Sequence, residues 1–134
     1  MSRQNPTVII ALGGNAISPK NESGDIEKQF EHTRESLDAM MHFINERYNI
    51  CITHGNGPQV GAELLKNEIT KDKIPSLPLG ILVANTQGAI GYMIQQTLQN
   101  ALQKKDIDRE VVTFISQVIV DKNDPTIQNP TKYI

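Results

Sequence analysis

The spacing of apolar positions changes several times along the chain, and each change predicts an element. Val8-Ile9-Ile10-Ala11-Leu12 is a continuous apolar run rich in β-branched residues. That is the pattern of a strand covered on both faces, so residues 7–12 are predicted as a strand that Gly13-Gly14 ends. Residues 16–24 hold Pro19, Asn21, Ser23 and Gly24 and read as a loop. From Asp25 to Arg47 the apolar residues Ile26, Phe30, Leu37, Met41 and Ile44 recur at helical spacing. This predicts one amphipathic helix with Asp25 as its N-cap.

Asn49 to Thr53 is a second short apolar strand, followed by the tight loop His54-Gly55-Asn56-Gly57. Pro58 suits the first helical position, where its missing N–H would have had no partner, and opens a helix to about Thr70. Residues 71–78, with two prolines, form a connection. A third helix lies within residues 79–104 on a stripe of Ile90, Ile94, Leu98, Ala101 and Leu102. Gly88 and Gly91 each cost about 1 kcal/mol of helix propensity relative to Ala, which implies close packing against another helix. Glu110 to Ile115 reads as a third strand, with Val118 to Val120 extending it or forming a fourth. Residues 121–134 read as loop. Strands alternating with helices predict an α/β fold, a three-layer αβα sandwich around a mainly parallel sheet.

Composition narrows the function. The net charge of -2 and the absence of any Lys/Arg cluster beyond Lys104-Lys105 argue against nucleic acid and anionic membrane as partners. Aromatic residues are only 4% and Trp is absent, so the core must be aliphatic. The single cysteine, Cys51, rules out an intrachain disulfide and reads as a small buried core residue of a cytoplasmic protein. The first apolar run is too short for a signal peptide, and no run approaches a membrane span.

The candidate chemistry lies in two glycine turns. A strand, a glycine-rich turn and a helix together bind phosphate, because glycine admits positive φ and brings backbone N–H groups close to an anion. In a parallel sheet both turns fall at the same edge, where ligands bind. The P-loop pattern is absent, and Gly55-Asn56-Gly57-Pro58-Gln59-Val60 misses the dinucleotide pattern at Val60. His32 and His42 are ten apart and do not make a metal pair. Asp121 and Asp124 read as turn residues before Pro125. No metal ligand set is predicted.

Four segments resemble carbamate kinases, members of the amino acid kinase superfamily. They are residues 8–16 (Val-Ile-Ile-Ala-Leu-Gly-Gly-Asn-Ala), residues 52–61 (Ile-Thr-His-Gly-Asn-Gly-Pro-Gln-Val-Gly), residues 86–93 (Thr-Gln-Gly-Ala-Ile-Gly-Tyr-Met), and Asp124-Pro125 with Asn129-Pro130-Thr131-Lys132. The resemblance implies reversible phosphoryl transfer between ATP and carbamate, within arginine metabolism. It implies that Gly13, Gly14 and Asn15 line the transferred phosphoryl group. Gly55, Asn56 and Gly57 would close on carbamate or carbamoyl phosphate, and Lys132 would supply a cation; Gly14, Asn15 and Lys132 are the catalytic candidates. Such transfer needs positioning and charge neutralisation more than acid–base groups.

The chain departs from the family by stopping at Ile134, short of the nucleotide-binding part, and by lacking an acid after Pro78-Leu79. Residues 1–134 are thus expected to be the acceptor-binding part. ATP/ADP with Mg²⁺ would be bound only in the intact enzyme, and this part alone would hold no cofactor. A homodimer is expected through the 86–102 helix, by Ala89, Ile90, Met93 and Ile94. The alternatives are burial of those residues within the chain, a non-catalytic binding or dimerisation module, and another amino acid kinase acting on a carboxylate such as acetylglutamate.

Overall fold

The computed structural model describes residues 5–17 and 25–130. The elements in order are β1 (Thr7–Leu12), α1 (Gly14–Ile17), α2 (Ile26–Asp38), α3 (Met41–Asn45), β2 (Asn49–His54), α4 (Gly57–Thr70), α5 (Leu79–Lys104) and α6 (Pro125–Gln128). β1 and β2 pair in parallel, from Thr7 opposite Asn49 to Leu12 opposite His54.

That register puts Val8, Ile10, Leu12, Ile50 and Ile52 on one face, where alternate side chains point. Ile10, Leu12, Ile50 and Ile52 join a core built from Leu37, Met40, Met41 and Ile44 and from Ile90, Met93, Ile94, Leu98 and Leu102 of α5. The core is aliphatic, as the shortage of aromatics requires. The opposite face carries Thr7, Ile9, Ala11, Cys51 and Thr53, all exposed, with Ile9 at 71%. The described residues therefore make two layers, with the second sheet face bare. Cys51 is exposed on that face and is not a core residue, because it alternates with the inward Ile50 and Ile52.

The predicted 25–47 helix is two helices. Met40 N–H donates to the Leu37 carbonyl (2.9 Å), and this tighter turn brings both Met40 and Met41 into the core. Asp25 caps α2 by accepting from Lys28 N–H (2.8 Å). Arg47, with φ 62°, turns the chain from α3 into β2.

Residues 110–120 form no regular element and join no sheet; the sheet among the described residues has two strands. The reason lies in α5. The Gln99 amide donates to the Arg109 carbonyl (3.1 Å) and accepts from Val111 N–H (3.0 Å). Gln87 does the same at Ser116, at 3.3 Å and 2.9 Å. Two side-chain amides thus satisfy backbone groups that a ladder would otherwise use. Between them Thr113 Oγ1 donates to the Gly91 carbonyl (3.1 Å). Thr113 sits directly over Gly91, and Ile115 would lie 3.8 Å from a Cβ on Gly88.

The small residues of α5 therefore admit another segment of the same chain, where a second helix was expected. Ile90, Met93 and Ile94, expected at a dimer face, are buried in the chain's own core, and only Ala89 of the four is exposed. No helix among the described residues is long and apolar enough to cross a membrane.

Candidate functional site

The parallel register delivers both glycine turns to one edge of the sheet. Gly13 follows Leu12, Gly55 follows His54, and those strand ends are partners in the ladder. Gly55 N–H donates across the gap to the Leu12 carbonyl (3.4 Å). A Cβ on Gly14 would lie 3.7 Å from Pro58 Cδ, so the first turn packs on the opening of α4. Gly13, Gly14, Gly55, Asn56 and Gly57 are therefore brought together.

No described glycine has positive φ, so conformational freedom does not explain these residues, contrary to the sequence-based argument. Nor does packing: among the described residues, a Cβ at Gly13, Gly55 or Gly57 would meet nothing within 4 Å. What glycine provides here is open space beside the backbone, a hollow into which an anion can come close to N–H groups.

α4 supplies part of the charge complement. Asn56 is its N-cap residue but makes no side-chain capping bond. The first-turn N–H groups thus have no side-chain acceptor from the cap, while the helix of 14 residues directs its positive dipole end toward the turn. The Asn56 amide instead donates to Thr86 Oγ1 (2.9 Å), with the Val83 carbonyl 3.5 Å away. Thr86 is buried and its hydroxyl donates to the Val83 carbonyl (2.9 Å). Asn56 is thereby fixed by α5. His54 Nδ1 lies 3.2 Å from the Gly55 carbonyl, so the Nδ1-protonated tautomer donates to the loop backbone. That is the turn-stabilising contact.

Thr86 was missed as a site residue, although it opens one of the four family-like segments. Its signal was a hydroxyl within an otherwise apolar helix stripe. Gln59 was missed too. Its amide donates to Gln29 Oε1 (3.1 Å), and its own Oε1 is buried without a partner among the described residues, beside a cavity of about 450 Å³.

Lys132 lies outside the described residues, as do residues 18–24, and only the backbone of Asn15 is described, in α1. Asp121 accepts from Asn123 N–H (2.9 Å), and Asp124 from Thr126 N–H (2.8 Å) and Oγ1 (2.6 Å). Both are turn and cap residues, and Pro125 begins the short helix α6 where a loop was expected. No group of three or more metal-binding side chains occurs among the described residues.

No family model matches the chain. Among curated proteins it is 47% identical over 127 residues to a carbamate kinase of Pyrococcus horikoshii and 46% identical to one of Pyrococcus furiosus. Each match covers 93% of this chain but 40% of the relative. Among solved structures, a Giardia lamblia carbamate kinase bound to AMP-PNP superposes with a TM-score of 0.90 at 37% identity, covering 96% of this chain and 40% of that one. The chain thus spans about two fifths of the length of the relatives it matches. In sequence the chain is a homologue of the N-terminal part of carbamate kinases, and its described residues have the corresponding part of the amino acid kinase fold.

Proposed function

We propose that this chain is the acceptor-binding part of a carbamate kinase, one that transfers a phosphoryl group reversibly between ATP and carbamate. The observation that carries the proposal is the glycine edge. Among the described residues, Gly13, Gly55 and Gly57 are required neither by φ nor by packing, and they leave space beside the N-terminus of α4. A phosphoryl or carbamoyl oxyanion fits that space, held by backbone N–H groups. Gly13, Gly14 and Asn15 would take the phosphoryl side, Gly55, Asn56 and Gly57 the carbamoyl side, and Lys132 would neutralise charge. This division rests on the family-like segments.

Nucleotide and its Mg²⁺ would be held by the remainder of a full-length protein; the AMP-PNP of the Giardia relative supports ATP as donor. The task of residues 1–134 is to orient the acceptor. A homodimer through the 86–102 helix would use the outer stripe of α5, formed by Asn85, Ala89, Tyr92 and Gln96, since the inner residues are taken. An exposed unpaired thiol at Cys51 suits a reducing cytoplasm.

The test is a chimera in which residues 1–134 replace the matching segment of a carbamate kinase. It should form ATP from ADP and carbamoyl phosphate and should not phosphorylate acetylglutamate. A folded chimera inactive in the first assay, or active in the second, would overturn the proposal. The 134-residue chain alone should not turn over, because in-line transfer needs donor and acceptor held together, worth roughly 7–11 kcal/mol in favourable cases. Activity within about tenfold of the chimera would refute the division of labour.

A further inference from the structure

The contact between Asn56 and α5 has a definite polarity. Val83 and Thr86 lie one helical turn apart on α5, and the Thr86 hydroxyl donates its hydrogen to the Val83 carbonyl (2.9 Å). Its oxygen is then free to accept from Asn56 Nδ2, 2.9 Å away. The Val83 carbonyl, 3.5 Å from Nδ2, is an acceptor as well. With the amide nitrogen toward α5, all of these contacts are made together. The flipped amide would keep only the bond to Thr86 and would set its oxygen against the Val83 carbonyl. Thr86 is 4% exposed, so water does not compete at its hydroxyl.

This orientation decides what Asn56 can offer a ligand. Its donor group is spent on α5, and the amide oxygen Oδ1 remains. That oxygen accepts no hydrogen bond among the described residues, from the first turn of α4 or elsewhere. Nor is it sealed in the interior, since the buried unpartnered side-chain atoms are Gln59 Oε1 and Arg109 Nη1. Oδ1 is therefore an acceptor open to solvent, on the residue between Gly55 and Gly57. Such an atom cannot hold an oxyanion, which has no hydrogen to give. It recognises an N–H or O–H group.

We propose that Asn56 is a specificity residue whose Oδ1 accepts from the amino group of the carbamoyl ligand, and that Thr86 is the positioning residue that keeps this oxygen turned away from α5. The inference rests on the proposed function of the glycine edge. Backbone N–H groups take the oxyanion, and Asn56 reads the nitrogen. Carbamoyl phosphate carries an NH₂ group where acetyl phosphate carries a methyl group, and the two are otherwise alike in shape. Once the ligand displaces water, an acceptor that faces a methyl group stays unpaired, and the analogue is rejected.

The 134-residue chain, labelled with ¹⁵N, is titrated in the cold with inorganic phosphate, carbamoyl phosphate and acetyl phosphate, read at the amides of Gly55–Gly57. Phosphate tests the glycine edge by itself. Carbamoyl phosphate should bind at least about tenfold more tightly than acetyl phosphate. Asn56→Ala and the near-isosteric Thr86→Val should each bring that ratio close to unity. Thr86→Ser, which keeps the hydroxyl, should preserve it. A merely structural Thr86 would weaken both acyl phosphates together and leave the ratio unmoved. Equal affinities for the two in the unaltered chain, or a ratio that survives Asn56→Ala and Thr86→Val, would overturn the inference while the glycine edge stands. No response to any of the three ligands would overturn both. Should Thr86→Val fail to fold, Asn56→Ala decides, because Asn56 makes no capping bond whose loss would weaken α4.

Discussion

Gly91 and the glycines at the strand ends are the same residue used for opposite reasons. At Gly91 a side chain would run into Thr113 of the same chain, and the helix gives up propensity so that another segment can lie against it. At Gly13, Gly55 and Gly57 a Cβ would meet nothing among the described residues within 4 Å. The first glycine is explained by the chain's own atoms. The others are not explained by the described atoms, and in the proposed function a ligand accounts for them. Open glycines at the C-terminal ends of parallel strands, beside a helix N-terminus, are thus a better pointer to a ligand than glycine content alone.

The sharpest way to break this comparison is to add a methyl group at each kind of site. In the chimera, Gly55→Ala should lower the rate of ATP formation by roughly 10²–10³-fold, the scale of losing one well-placed oxyanion contact. Its melting temperature should stay unchanged. Gly57→Ala, in the first turn of α4, should even raise stability by about 0.4–1 kcal/mol through the unfolded state while slowing transfer. If stability drops in step with activity, these glycines are structural and the distinction collapses.

Gly91→Ala should behave in the reverse manner, costing about 1–3 kcal/mol through overpacking. Thr113→Ser removes the clashing methyl but keeps a hydroxyl for the Gly91 carbonyl. The double variant should therefore recover most of the loss in urea denaturation. Failure of that rescue would mean that the strain lies elsewhere in α5. Gln99→Ala should cost somewhat less, about 1–2 kcal/mol, by leaving the Arg109 carbonyl and Val111 N–H without their partner. Faster amide exchange at Val111 should accompany it.

How far the sequence could be read follows from which forces are local. β1, β2, α4 and α5 come from apolar runs, the Pro58 start and a long helical stripe, and all four match the structure to within a few residues. The meeting of the two glycine turns was legible because parallel strands place their following turns at one edge. What failed was decided by tertiary partners. Residues 110–120 have strand-like composition, but Gln87 and Gln99 capture their backbone, and a glutamine on a helix surface gives no local sign of such a clamp. Cys51 looked buried because Ile50-Cys51-Ile52 is an apolar run, and a run does not say whether both sheet faces are covered. Asn56's partner Thr86 lies 30 residues away, a separation that no local pattern reports.

The smallest expected effect concerns the acid that starts α6. Asp124 accepts from both Thr126 Oγ1 and Thr126 N–H, and these bonds to the charged form hold its pKa below the ordinary carboxylate value. The sign follows: a depressed folded pKa favours the ionised cap above the unfolded value, and that contribution is lost as pH falls through the folded one. Asp124 is fully exposed, so the contribution is local and screened by salt. Over a pH series on the 134-residue chain, the Asp124 side-chain carboxyl should titrate below the ordinary aspartate value, and the Thr126 amide should shift with the same midpoint. Asp124→Asn should abolish that shift without moving the global melting temperature, because α6 is exposed throughout. In the chimera the same variant should lower the rate only modestly. The cap orients only the short helix α6, whereas in the proposed function the glycine edge would contact the transferred group itself. A loss as large as that of Gly55→Ala would instead place Asp124 among the groups that meet substrate.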